Sequence, residues 1–162
     1  MSDPAIPLEE FDQEMDSTRR LLERVPSEKG PWKPHEKSFP LGHLAQLVSW
    51  MPGWIASTLR ETELDFEKTD VEYSFEPTET LLEIMEKGAR ESRRALQEVT
   101  GQELDVEWTL RSGDFVMYSA PRRVAARGHL NHLIHHRGQL TVYLRLLDVP
   151  LPPIYGPTAD ER

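Results

Sequence analysis

The chain has 162 residues, 38% apolar and 29% charged, enough for one domain with a substantial core. Its formal net charge of −9 argues against nucleic acid, whose phosphates need clustered Lys and Arg, and against anionic membrane surfaces. There is no cysteine, no apolar run of the roughly 20 residues that span a bilayer, and no secretory signal in the acidic stretch Met1–Glu10. Disulfides, thiolate ligands and a cysteine nucleophile are thereby removed together, and a cytoplasmic protein is expected.

Helical spacing appears first at Leu8, Phe11, Met15, Thr18, Leu22 and Val25, a stripe that Pro26 ends. The next segment, residues 27–39, holds Gly30, Pro31, Trp32 and Pro34 and reads as an ordered connection. Ser38 is an expected N-cap for helix two, with Pro40 in its first turn and Leu44, Leu47, Val48, Met51 and Ile55 inward. Pro52-Gly53 should kink or interrupt that helix, because proline removes a backbone donor and crowds the preceding turn.

Thr80 and Glu83 suggest a capping box for helix three. Its expected inward stripe is Leu82, Met85, Ala89, Ser92, Leu96 and Val99, with Gly101 as the terminating residue. Residues 106–110 then alternate with period two, and Phe115 to Tyr118 follow Ser112-Gly113. A short β-hairpin and a long loop with one extended piece both fit. Helix four is expected from about Pro121 to Leu147. The fold class read from this pattern is all-α: a single domain over residues 1–162, forming a four-helix bundle with long crossover connections.

The most informative stretch is His132-Leu133-Ile134-His135-His136-Arg137-Gly138-Gln139. At about 100° per residue, His136 lies about 40° and His129 about 60° from His132, on the half of the helix that carries Leu140, Tyr143 and Leu144. Imidazoles buried without partners are costly, and one metal ion would satisfy both His132 and His136. A polar pair without a metal is the plainer reading, since HxxxH is half a site. His135 lies off this face, and His35, in the Pro/Gly-rich connection, reads as a solvated loop residue. Gln139 falls near the ligand face, where it could orient a ligand. Arg137 points elsewhere, toward a carboxylate on a neighbouring helix. His43, on the inward side of helix two, is the natural third ligand, because bundles build metal sites from facing helices. Three imidazoles suit Zn²⁺, Ni²⁺ or Fe²⁺ and leave coordination positions open.

Asn131 to Leu140, Tyr143-Leu144-Arg145 and Pro152 to Glu161 together resemble the DinB-like family of four-helix-bundle metalloproteins, related to the YfiT-like proteins. Weaker echoes occur at residues 34–38 and 51–54. The resemblance implies a bundle with a long crossover between helices two and three. It also implies one divalent metal held by a helix-two histidine with His132 and His136. In the family pattern the helix-two histidine falls one turn later, where this chain has Leu47. Three arrangements remain: His43 reaches the metal, His129 rebuilds the site, or metal binding has decayed. The first is favoured.

The resemblance further implies a homodimer and a metal-dependent enzyme that transfers a low-molecular-weight thiol to a small electrophilic substrate. With no cysteine in the chain, that sulfur would come from the cosubstrate. Metal-bound water acting in hydrolysis, and a non-catalytic stress-associated bundle with a structural or vestigial metal, are the alternatives. Trp50 and Trp54 either wall an apolar pocket or are core aromatics.

Overall fold

The computed structural model describes residues 5–70 and 72–161. Its elements run α1 (Leu8–Leu22), α2 (Leu41–Arg60), β1 (Glu63–Asp65), α3 (Thr78–Glu98), a one-turn α4 (Gly101–Leu104), β2 (Glu107–Ser112), β3 (Phe115–Pro121) and α5 (Arg122–Leu146). Short 3₁₀ turns occupy Ser27–Lys29 and Phe66–Lys68. The four long helices share one apolar core. Phe11, Met15 and Leu22 come from α1, and Leu44, Leu47, Val48, Met51 and Ile55 from α2. Leu81 and Met85 come from α3, and Leu130, Leu133, Leu140 and Leu144 from α5. Each such side chain contributes about 1.5–3 kcal/mol by leaving water.

The fold is mostly helical, and the all-α expectation needs correcting by a three-stranded sheet in the order β1-β2-β3. The hairpin is real: β2 pairs antiparallel with β3 across a turn in which Gly113 takes φ +55, with a register shift at Leu110/Arg111. β1 adds in parallel, Glu63 opposite Thr109 and Leu64 opposite Leu110. Asp65 fastens this joint by accepting from the Gly113 amide at 3.0 Å.

Several local readings shift. α2 begins at Leu41 behind Pro40 with no side-chain cap, so Ser38 is not its N-cap. α3 begins at Thr78 behind Pro77, ahead of the expected Thr80 box. A capping box does form, at Thr100 and Glu103, and it makes Gly101 the start of α4 rather than the end of α3. The inward stripe of α3 centres on Leu81, Met85, Gly88, Ser92 and Ala95. Leu82, Ala89, Leu96 and Val99 are half-buried at its flank.

Pro52 does not interrupt α2, which runs unbroken to Arg60. The reason lies on α3. Ser92 Oγ donates to the Pro52 carbonyl at 2.5 Å and accepts from the Ala56 amide at 2.9 Å. Those two groups would close an ordinary i→i+4 turn, so the hydroxyl bridges the helix where its ladder opens. Nearby the backbones of α2 and α3 nearly touch: a Cβ on Gly88 would stand 2.7 Å from the Gly53 nitrogen.

The segment after α5 folds back on its own chain. Val149, Leu151 and Ile154 pack against the core. Arg145 binds Asp160 at 2.5 Å and Arg24 binds Glu161 at 2.6 Å, which fastens the far end of the tail to α5 and to the end of α1. Among the described residues, no helix is long and apolar enough to cross a membrane.

Candidate metal centre

α2 and α5 run antiparallel along the groove that holds the histidines. At one end the Arg122 guanidinium donates to the Glu61 carbonyl at 2.9 Å. Midway the Trp54 ring lies 5.8 Å from His129 and 6.1 Å from His132. At the far end Tyr143 Oη donates to the Phe39 carbonyl at 3.1 Å. On the α5 wall the structure brings His132 and His136 together, their Nε2 atoms 2.9 Å apart and their ring centroids 4.6 Å apart.

Gln139 completes the arrangement. Its Oε1 lies 2.7 Å from His136 Nδ1, and an amide oxygen only accepts, so Nδ1 carries the proton. The Nε2 lone pair of His136 is thereby left free to face His132, which donates to it while no cation intervenes. This is the tautomer that metal ligation requires. The histidines do not enter the core, since His132 is exposed and His136 half-buried, yet partial burial still holds both imidazoles below the usual histidine range. His136 and His135 depress His132 further, while the Gln139 hydrogen bond partly offsets the effect at His136. Both rings therefore remain neutral near neutral pH; His136 presents its Nε2 lone pair, and His132 can ligate through Nε2 once its proton moves to Nδ1.

Arg137 sets the rotation of α5. It is almost wholly buried, with an ion pair to Glu14 of α1 at 2.6 Å. It also donates to the Glu14 carbonyl at 3.0 Å, to Thr18 Oγ1 at 3.2 Å and to Tyr155 Oη at 2.7 Å. Tyr155 in turn donates to the Glu14 carboxylate at 3.0 Å. This is the neighbouring-helix carboxylate expected for Arg137. With Arg137 fixed toward α1, His136 and His132 must face the α2 side of the groove.

His43 is held elsewhere. Its ring is sandwiched between Phe39, at 4.2 Å, and Tyr73 of the α2–α3 crossover, at 3.4 Å. The facing pairs along the two helices put the midpoint of His132 and His136 level with Ser49. That is six residues, or about 9 Å of helix axis, from His43 at ~1.5 Å per residue. Leu47, buried, stands much closer to that level. Among the described residues no three His, Cys, Asp or Glu side chains are grouped to hold a metal.

Of the remaining histidines, His129 is wedged between Trp54 and Trp108, with its Nε2 buried and unpartnered. Burial, aided by His132, pushes its pKa down to about 4. His35 is an exposed loop residue whose Nδ1 accepts from the Lys37 amide. His135 is exposed beside His136. Sequence reading missed Tyr73 and Gln46. Gln46, buried on α2, clasps the crossover by accepting from the Ser74 amide at 3.0 Å. No sequence signal marks either residue beyond an aromatic among the acidic residues of the crossover.

The DinB family model matches residues 1–162. The chain belongs to the DinB family. It is 26% identical over 158 residues to YrdA, an uncharacterised protein of Bacillus subtilis (strain 168), across 95% of this chain and 89% of that one. A crystal structure of a DinB-like protein from Bacillus cereus ATCC 10987 superposes with a TM-score of 0.68 at 25% identity, covering 91% of this chain and 95% of the other. A second, from Bacillus subtilis, gives 0.66 at 20% identity, covering 96% and 97%. The latter likeness speaks for the fold alone.

Proposed function

We propose that this DinB-family chain is a metal-dependent enzyme. In this reading, the four long helices form a bundle that carries one divalent ion on His132 and His136. The observation that carries the reading is the convergence of two neutral Nε2 atoms at 2.9 Å, one with its tautomer set by Gln139. The pair fits a borderline cation such as Zn²⁺, Ni²⁺ or Fe²⁺. His43 is held in the Phe39–Tyr73 stack away from this pair, so the proposal rests on His132 and His136, with the remaining positions open to water or substrate.

When bound, such an ion lowers the pKa of a thiol or water in an open position. The chain's own residues do the rest. His132 and His136 position the reacting centre. Gln139 keeps the His136 proton on Nδ1, and Trp54 and Trp108 restrict water on one flank. With no cysteine available, a sulfur nucleophile is a low-molecular-weight thiol supplied as cosubstrate, and its acceptor is a small electrophile. Metal-loaded protein should accelerate transfer of such a thiol to a generic electrophile, and His136→Ala should abolish the acceleration. Equal rates with native and His136→Ala protein would refute thiol transfer at this centre. Hydrolysis through bound water would instead appear as turnover without thiol.

A further inference from the structure

We propose that a cavity at one end of the bundle binds a small carboxylate with an apolar body. The cavity has a volume of about 280 Å³ and lies where α2 and α3 finish and α5 begins. Leu59, Ala95 and Val99 form its apolar wall, and Arg60 and Arg122 line it beside them. Arg122 is the first residue of α5, ten residues before His132, or about 15 Å of helix axis at ~1.5 Å per residue. The cavity is therefore separate from the histidine pair, and this inference does not depend on the metal reading.

Unpaired charge singles out this place. Every described arginine other than Arg60 and Arg122 has a carboxylate partner within 3.9 Å. Both exceptions line the same cavity. The Arg60 side chain is exposed and has no hydrogen-bond or ionic partner among the described residues. Arg122 is 7% exposed, a degree of burial that a charged side chain seldom reaches without a counter-ion. Its Nε and Nη2 donate to the Glu61 carbonyl at 3.2 and 2.9 Å, and Nη2 reaches the Arg60 carbonyl at 3.4 Å. These bonds cap the end of α2, but carbonyls carry no formal charge. Nη1 makes no hydrogen bond and is not sealed from solvent, so on a side chain this buried the cavity is what it faces.

A guanidinium fork matches a carboxylate or a phosphate equally well. The rest of the lining decides between them. Leu59, Ala95 and Val99 give a hydrocarbon body a surface to leave water on, which a free phosphate would not use. Glu98 and Glu103 also line the cavity. Glu98 accepts from Arg94 at 2.7 Å, and Glu103 accepts from the Thr100 amide and hydroxyl at 2.8 Å each. Neither carboxylate pairs with Arg60 or Arg122, yet both repel a dianion. A single negative charge on an apolar body is what this lining accepts.

The probe is 4-methylpentanoate, added to the full chain and followed through amide chemical shifts. Saturable shifts are expected at residues 59–60, 98–99 and 122, with an affinity of millimolar order for a ligand this small. 4-Methylpentan-1-ol, which has the body without the charge, and inorganic phosphate should each bind more weakly by about tenfold or more. Arg60→Gln should weaken 4-methylpentanoate by roughly two- to fivefold, as loss of an exposed ion pair does. Arg122→Lys should weaken it by roughly tenfold or more. Val99→Phe, which fills the cavity and leaves both arginines in place, should abolish the shifts and keeps the test decisive if Arg122→Lys does not fold. Equal binding of the acid and the alcohol, tighter binding of phosphate, or no saturable shift at these residues would overturn the assignment. So would shifts that persist unchanged in Val99→Phe.

Discussion

Replacing Arg137 with methionine should destabilise the protein severely without touching the metal ligands. The substitution removes the 2.6 Å ion pair and three further donated hydrogen bonds. It leaves the Glu14 carboxylate, 6% exposed, with Tyr155 as its remaining donor. Stranding one member of a buried pair costs about 3–5 kcal/mol. At ~2–4 °C per kcal/mol for a chain of this size, Tm should fall by roughly 6–20 °C. Glu14→Met alone strands the guanidinium and should cost a similar amount. The double variant should recover most of the loss, because two apolar side chains replace a desolvated ion pair. A cycle of urea melts followed by circular dichroism should give a coupling of about 2 kcal/mol or more between the two sites. If Arg137→Met melts within a degree or two of the native protein, or the two losses simply add, then this network does not set the rotation of α5.

Gly88→Ala should destabilise by about 1–2 kcal/mol, with overpacking outweighing alanine's better helix propensity. The new Cβ would lie 2.7 Å from the Gly53 nitrogen, backbone that cannot turn aside, and a raised Tm would contradict this. His129 is held at a pKa of about 4 against 6.5 unfolded, so its contribution is intact above pH 6.5 and lost as pH falls toward 4. The loss approaches about 3 kcal/mol at ~1.4 kcal/mol per unit. His129→Phe should flatten the pH dependence of denaturant midpoints across that window, and an unchanged slope would argue against burial as the cause. Gln139→Ala should weaken divalent-metal affinity by roughly 10–100-fold by freeing the His136 tautomer, as read by calorimetric titration. Unaltered affinity would remove Gln139 from the site.

The long helices and the α5 histidines were legible because both rest on local periodicity. A spacing of four residues places His132 and His136 on one face whatever the tertiary context. The same logic predicted Gln139 beside the pair and Arg137 turned toward a carboxylate. Wherever a partner distant in sequence decides the outcome, local reading fell short. Pro52 reads as a break until the Ser92 hydroxyl, forty residues away, is placed in the opened ladder. β1 is three residues long and exists through pairing with β2, a strand more than forty residues later. His43 looked inward by its stripe, yet inwardness says nothing of level along the axis. That level depends on how α2 and α5 slide past each other, which Arg122, Trp54 and Tyr143 set. The stack with Tyr73 depends on a crossover whose sequence carries no periodicity.

Metal content of the purified protein tests the central claim most directly. Native protein dialysed against Zn²⁺ or Ni²⁺ should retain one equivalent by elemental analysis. His132→Ala and His136→Ala should each lose it, while His35→Ala should keep it. Full occupancy in both single variants of the pair, or no retained metal in the native protein, would contradict the account.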